Sequence, residues 1–328
     1  MRRLTPNITD QWLEAETSVG FRTFYALHVR HLKRIVVIHG AADLVLSKVA
    51  QTYRERNTAL VRWHSVHDPD TYTGVVVPHL ETAWISAETF RLFSLPPGIA
   101  VESVPAGPDL IRDPEIAECQ NRVKKCLAGA LCALGEYELA TRGTATDTEP
   151  LLRQWAHDWL DHAGSGNVPH DLHYFGTPLT PRGPHTAFVA DEFKRLDTTM
   201  HLRGGCSTTN SDVLRRFGEM ALMKGYQVCF YHDAFHPSRV DHLIIPELNL
   251  GITNATPPHE IPGGSTIIPV DTRFGRRHNM AEAESWWLVY QKLYSHAWLL
   301  MEEIGRMKQA ASPRADADIA QITAQCTA

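Results

Sequence analysis

Apolar residues fall along this chain in two rhythms, and both rhythms recur. Arg34–His39, Thr58–His64, Thr198–Arg203 and Tyr226–His232 are short apolar runs of strand length. Leu46–Arg56 and Asn210–Lys224 place apolar residues at helical spacing instead. In the second of these, Val213, Leu214, Phe217, Met220 and Ala221 share one face, and Gly225 stands where a helix terminates. Two more short apolar runs follow each strand pair, around Pro78 and Pro246. Each half then ends in a long amphipathic helix. These are Pro114–Thr141, opened by Asp113-Pro114, and Met280–Gln309, with the stripe Trp286, Trp287, Tyr290, Leu293 and Tyr294. The stripe reads as core or interdomain packing. A further helix near Thr148–His162 leads to a Gly-, Pro- and His-rich linker, Ala163–Gly183, and the tail from Ala311 is polar. Strands alternating with helices predict βαβ units and a mainly parallel sheet.

The chain can be laid on itself. At an offset of 164 residues Gly40 falls on Gly204 and Ser47 on Ser211. At 168, His64 falls on His232, Pro69 on Pro237, Pro78 on Pro246 and Leu80 on Leu248. Upstream, Thr17-x-x-Gly20 matches Thr180-x-x-Gly183. A period of this size means duplication of a domain rather than a solenoid. The expected division is residues 1–165 and 166–328, in keeping with roughly 100–200 residues per domain.

Each copy carries a broken phosphate-loop pattern. His39–Lys48 reads HGAADLVLSK and Arg203–Asp212 reads RGGCSTTNSD. Both keep the first Gly and the late Ser of G-x-x-x-x-G-K-[ST], and both lose the second Gly and the Lys. Val45 and Leu46 stand there in one copy, Thr209 and Asn210 in the other. An intact loop curls backbone N–H groups around phosphates, neutralises their charge with Lys and holds Mg²⁺ with the hydroxyl. The first copy, with Asp43 inside its loop, reads as dead for phosphate. In the second, Gly204, Gly205, Cys206, Ser207, Thr208, Thr209, Asn210 and Ser211 remain a candidate binding segment, because a helix N-terminus attracts anions without a Lys.

These residues, with His232, Asp241, Ile244-Ile245-Pro246-Glu247-Leu248, Asn254–His259 and HYFGTPLTPRG from His173, resemble a bacterial family of tandem P-loop ATPase-like, nucleotide-kinase-like proteins. The resemblance implies an α/β fold of two tandem P-loop NTPase-like parallel-sheet domains, each with a long helical extension. It implies ATP or another nucleotide, with Mg²⁺, as the cofactor. Where the family has a strand-end Asp, this chain has Ser86 and Asn254. Both Lys and both carboxylates are gone, so the resemblance points to a pseudoenzyme-like protein that binds with little or no hydrolysis.

Other chemistry competes with that reading. His232, His236 and Asp241 are candidate ligands for a divalent transition metal, since two His and a carboxylate suit iron or zinc. His64-x-x-His67-Asp68 is a weaker counterpart, and HDWLDH (His157–His162) resembles a hydrolase dyad only locally. Cys206 lies near a helix N-terminus, and Arg273, Arg276 and Arg277, in the segment opened by Asp271, offer guanidiniums in place of the lost Lys. The net charge of -5 and the lack of a basic run argue against nucleic acid. The six Cys form no C-x-x-C pair, and no apolar run reaches about 18 residues, so a cytoplasmic protein without a membrane span is expected. Three readings stay open: a degenerate nucleotide-binding protein, an enzyme with repurposed, metal-dependent chemistry on a small molecule, and a scaffold for a protein partner or homo-oligomer.

Overall fold

The computed structural model describes residues 8–107, 113–141, 148–161, 169–203, 207–255, 266–269, 280–311 and 322–324. The first half runs β1 (Ile8–Gln11), β2 (Glu14–Thr17), β3 (Gly20–Thr23), α1 (Tyr25–His28), β4 (Arg34–Gly40), α2 (Ala42–Glu55), β5 (Leu60–His64), β6 (Tyr72–Val77), β7 (Thr82–Ser86), α3 (Ala87–Phe90), β8 (Ala100–Ala106) and α4 (Pro114–Thr141). Next comes α5 (Glu149–Trp155), which continues as a π-helical turn to Leu160. The second half runs β9 (Asp171–Phe175), β10 (Leu179–Thr180), β11 (Gly183–Pro184), α6 (Ala187–Phe193), β12 (Thr198–Arg203), α7 (Ser207–Met223), β13 (Val228–His232), β14 (Val240–Ile245), β15 (Leu250–Asn254), β16 (Thr266–Pro269) and α8 (Met280–Ala311).

The two halves have one topology. The sheets are ordered β1-β5-β6-β7-β4-β8 and β9-β13-β14-β15-β12-β16. In both, the third strand runs antiparallel to its neighbours and the remaining pairs are parallel. The sheets are therefore mixed but mostly parallel, in keeping with the mainly parallel sheet expected, with one antiparallel strand in each. The cause is the length of the connections around β6 and β14. The links to β7 and β15 are one 3-10 turn, Pro78–Leu80 or Pro246–Leu248, closed by a left-handed residue, Glu81 or Asn249. A connection this short cannot make the crossover that parallel strands need. Local details repeat as well. The ladder slips at Trp63/His64 and at Tyr231/His232. Thr17 Oγ1 donates to the Gly20 carbonyl at 2.6 Å, and Thr180 Oγ1 to the Gly183 carbonyl at 2.8 Å. The expected linker Ala163–Gly183 thus contains β9, the edge strand of the second sheet, and the clasped turn.

Alternation along the strands sorts side chains into layers. Ile35, Val37, Ala83 and Ile85 join a core shared by both halves, whereas Val36, Ile38 and Trp84 pack on α2 residues Val45, Leu46, Val49 and Tyr53. In the second half Cys229 and Tyr231 join the shared core, and Val228 and Phe230 pack with Val213, Leu214 and Phe217 of α7. Each fully buried apolar side chain of this kind contributes roughly 1.5–3 kcal/mol. Leu152, Trp155 and Leu160 lie in the α7 core, so the α5 segment packs with the second sheet although it precedes residue 166. Helices α4 and α8 run antiparallel over the shared core, with Gly129 against Leu293 and Tyr137 against Trp287. The stripe Trp286, Trp287, Tyr290 and Tyr294 packs there, as interdomain packing requires. Among the described residues no helix is long and apolar enough to cross a membrane.

Candidate functional site

The phosphate-loop positions come first. In the first half no loop exists: α2 begins at Ala42, two residues after Gly40. Gly40 has φ +87° and still pairs with Ala106, and a Cβ on it would lie 2.4 Å from the Gly107 backbone. This Gly closes the sheet against β8 and leaves no room over its backbone for an anion. Val45 and Leu46 are core, Ser47 is exposed, and Ser86 Oγ caps α3 by accepting from the Thr89 amide at 3.1 Å. Without the second Gly nothing interrupts helical backbone at Val45, so the helix starts early.

The second half keeps more of the sequence pattern. Helix α7 begins at Ser207, so Ser207, Thr208, Thr209 and Asn210 form its first turn; Gly204, Gly205 and Cys206 lie outside the described residues. Thr208 is exposed and Thr209 half-buried. Asn210, fully buried, donates from Nδ2 to Asn254 Oδ1 at 2.9 Å. Asn254 ends β15, beside β12, the strand that leads to α7. The two positions at which the resemblance would place Lys and a carboxylate are thus joined as neutral amides. A charged pair here would have to be desolvated in full; an amide pair avoids that cost. Ser211 Oγ accepts from the Val240 amide at 2.8 Å, which ties α7 to β14. Asp212 pairs with Arg215 at 2.6 Å.

The metal candidates do not converge. His236 Nδ1 meets Ser238 Oγ at 2.7 Å, Asp241 is buried in β14, and His232 Nε2 meets His173 Nδ1 at 2.7 Å. Among the described residues no group of three His, Cys, Asp or Glu could hold a metal ion. His157 and Asp161 form an exposed pair one helical turn apart, at 2.7 Å. Asp271, Arg273, Arg276, Arg277, His162 and the stretch Thr256–His259 lie outside the described residues.

The repeated histidines occupy matching corners with different partners. His64 directs Nδ1 at the Pro69 carbonyl and Nε2 at Asp10 Oδ1, both at 2.8 Å. Arg62 grips both oxygens of the same carboxylate at 2.7 Å. Burial pushes the Asp10 carboxyl up, but the bonds from His64 and Arg62 outweigh it and bring it down to about 2. At the other corner burial, helped by the neighbouring His173, holds His232 down to about 3.

Two acids escaped the sequence reading. Glu14 accepts from Tyr25 Oη and from the Val66 amide, both at 2.8 Å, and burial raises its carboxyl despite nearby His67. Glu16 pairs with His67 at 2.9 Å and accepts from Gln120 of α4 at 2.7 Å. The matching positions of the second half are Thr177, Leu179 and Phe235. Extending the match from Thr17/Thr180 back along the chain would have shown acids opposed to neutral residues. This cluster fixes the β2–β3 hairpin to the β5–β6 turn and α4. No family model, curated protein or solved structure matches this chain.

Proposed function

We propose that the chain is a duplicated nucleotide-loop protein that has given up phosphoryl transfer, and that its second half binds a nucleotide or another phosphorylated ligand with little or no hydrolysis. The observation that carries this reading is the buried Asn210–Asn254 amide pair. Phosphoryl transfer needs a cation against the β/γ charge and a carboxylate beside Mg²⁺. Amides supply neither. The first half has Leu46 and Ser86 at the same places, which are still less suited. What the second half retains is an anion-attracting helix start with small residues before it.

The test is thermal unfolding with ATP, ADP and GTP, with and without Mg²⁺, beside a phosphate-release assay. A ligand that binds the folded state raises the midpoint. The expected result is a saturable shift that ignores Mg²⁺, with no phosphate release above buffer. The triple variant Thr209→Gly, Asn210→Lys, Asn254→Asp should make the shift Mg²⁺-dependent. Mg²⁺-dependent phosphate release by the unaltered protein, lost in Ser211→Ala, would overturn the loss of catalysis. No shift at millimolar nucleotide would overturn binding and leave the scaffold reading.

A further inference from the structure

The two halves meet along a seam where His28 of the first half lies against the strand that carries a stacked imidazole pair of the second, His173 and His232. His28 of α1 donates from Nε2 to the His173 carbonyl at 2.8 Å. His173 Nδ1 meets His232 Nε2 at 2.7 Å, and the rings stack with centroids 5.0 Å apart. Phe24 covers both rings from the first half, at 5.7 and 4.9 Å, and the Phe175 amide crosses to the Trp12 carbonyl at 2.9 Å. A nitrogen–nitrogen contact of this length has room for one proton. If both rings are charged, two N–H groups point at each other. At the matching corner the place of His173 is taken by Asp10, an acceptor, so both His64 nitrogens face oxygen atoms rather than another ring nitrogen.

We infer that the His28–His173–His232 group is an acid-sensitive joint: proton uptake below neutral pH parts α1 from β9, while the Asp10–His64 corner stays closed.

The surrounding charges favour this outcome. Asp171 lies 3.2 Å from His173 Nε2, but it is half-exposed and shared with Arg30 at 3.9 Å. Arg30 and His31 add positive charge beside His28, and His170 lies against His31. Tyr174, the remaining titratable ring against His28, is held neutral by burial. Burial holds His28 down to about 4, His232 to about 3, and His173 below its ordinary value against the pull of Asp171. The parted seam therefore binds protons that the closed seam refuses. Closure is complete above the free value of about 6.5 and weakens as pH falls from there towards about 4. Linkage through His28 alone favours the parted form about thirtyfold at pH 5 relative to pH 8.

Hydrogen exchange on the full chain, corrected for the intrinsic pH dependence of exchange, tests this. Between pH 7.5 and 5, protection of the Phe175 amide should fall about thirtyfold or more relative to the β4 amides. His173→Asp combined with His28→Gln, which copies the other corner and removes the His28 charge, should hold the fall to about threefold. His28→Gln alone keeps a donor for the His173 carbonyl but cannot be charged, so it should blunt the fall, and it carries the test should the double variant not fold. An unchanged Phe175-to-β4 ratio in the unaltered protein, or an undiminished fall in the folded variants, overturns the joint.

Discussion

The two halves share strand order, ladder slips and clasped turns, yet differ in the polar groups they bury at several matching positions. At its hairpin region the first half buries Glu14, Glu16 and His67. The second half places Thr177, Leu179 and Phe235 there, and buries Asn210, Asn254, His232, Asp233 and Asp241 elsewhere. Packing compensates in the same way. Trp63 lies where a Cβ on Gly74 would come within 2.5 Å of it; the matching pair is Tyr231 with His242, relieved by Gly176, whose Cβ would lie 2.8 Å from His242. One backbone plan thus tolerates opposite polar choices, provided that each buried group finds a partner. Topology is set by the connections and the apolar alternation, and chemistry is free to diverge at the corners.

The largest expected effect breaks the contrast at the buried acid. Glu16→Leu alone leaves His67 and the Gln120 amide without their acceptor and should cost about 3 kcal/mol in denaturant unfolding. Glu16→Leu with His67→Phe copies the second half and should recover most of that loss. A double variant as unstable as the single one would show that the halves are not interchangeable here. Next is Gly40→Ala. The positive φ and the facing Gly107 backbone should make it cost about 2 kcal/mol, and the loss should be the same with and without nucleotide. A loss of ligand binding at unchanged stability would restore Gly40 as part of a phosphate loop.

The two corners respond differently to acid. Asp10 has a folded value of about 2, below its ordinary 3.8. Its contribution is complete above about 3.8 and disappears as pH falls through about 2. Acid unfolding of Asp10→Asn should therefore differ from the unaltered protein above that window and converge with it below. The smallest effect is at Asp70, whose pair with Arg182 joins the halves at an exposed site. Asp70→Asn should change stability by no more than ~0.5 kcal/mol.

Much of this architecture is legible in the residues. The offset of His64 and His232, the Pro78 and Pro246 turns and the long helices all survive in the structure, because apolar periodicity and turn chemistry act locally. Helix α4 spans the expected Pro114–Thr141. The starts of α2 and α7 were misplaced because a phosphate-loop pattern implies an open loop, and without the second Gly the backbone winds into helix at once. Strand β9 hides in a Gly-, Pro- and His-rich stretch because an edge strand needs little apolar content. The His173–His232 contact joins residues 59 apart, and no local rule relates them. The Asn210–Asn254 pair was foreshadowed only as two separate losses; that each accounts for the other needed the sheet.

Pairing also decides how the molecule meets its neighbours. Strands β1 and β9 lie towards the seam, so the outermost strands are β8 and β16, each bonded on one side only among the described residues. Such a body has two open margins, one per half, and unguarded margins of this kind would let copies join end to end into a filament. Both margins carry a proline at the same place, Pro105 opposite His39 and Pro269 opposite Arg203. A proline there has no N–H to offer an arriving strand. The two halves thus share this edge proline along with the fold.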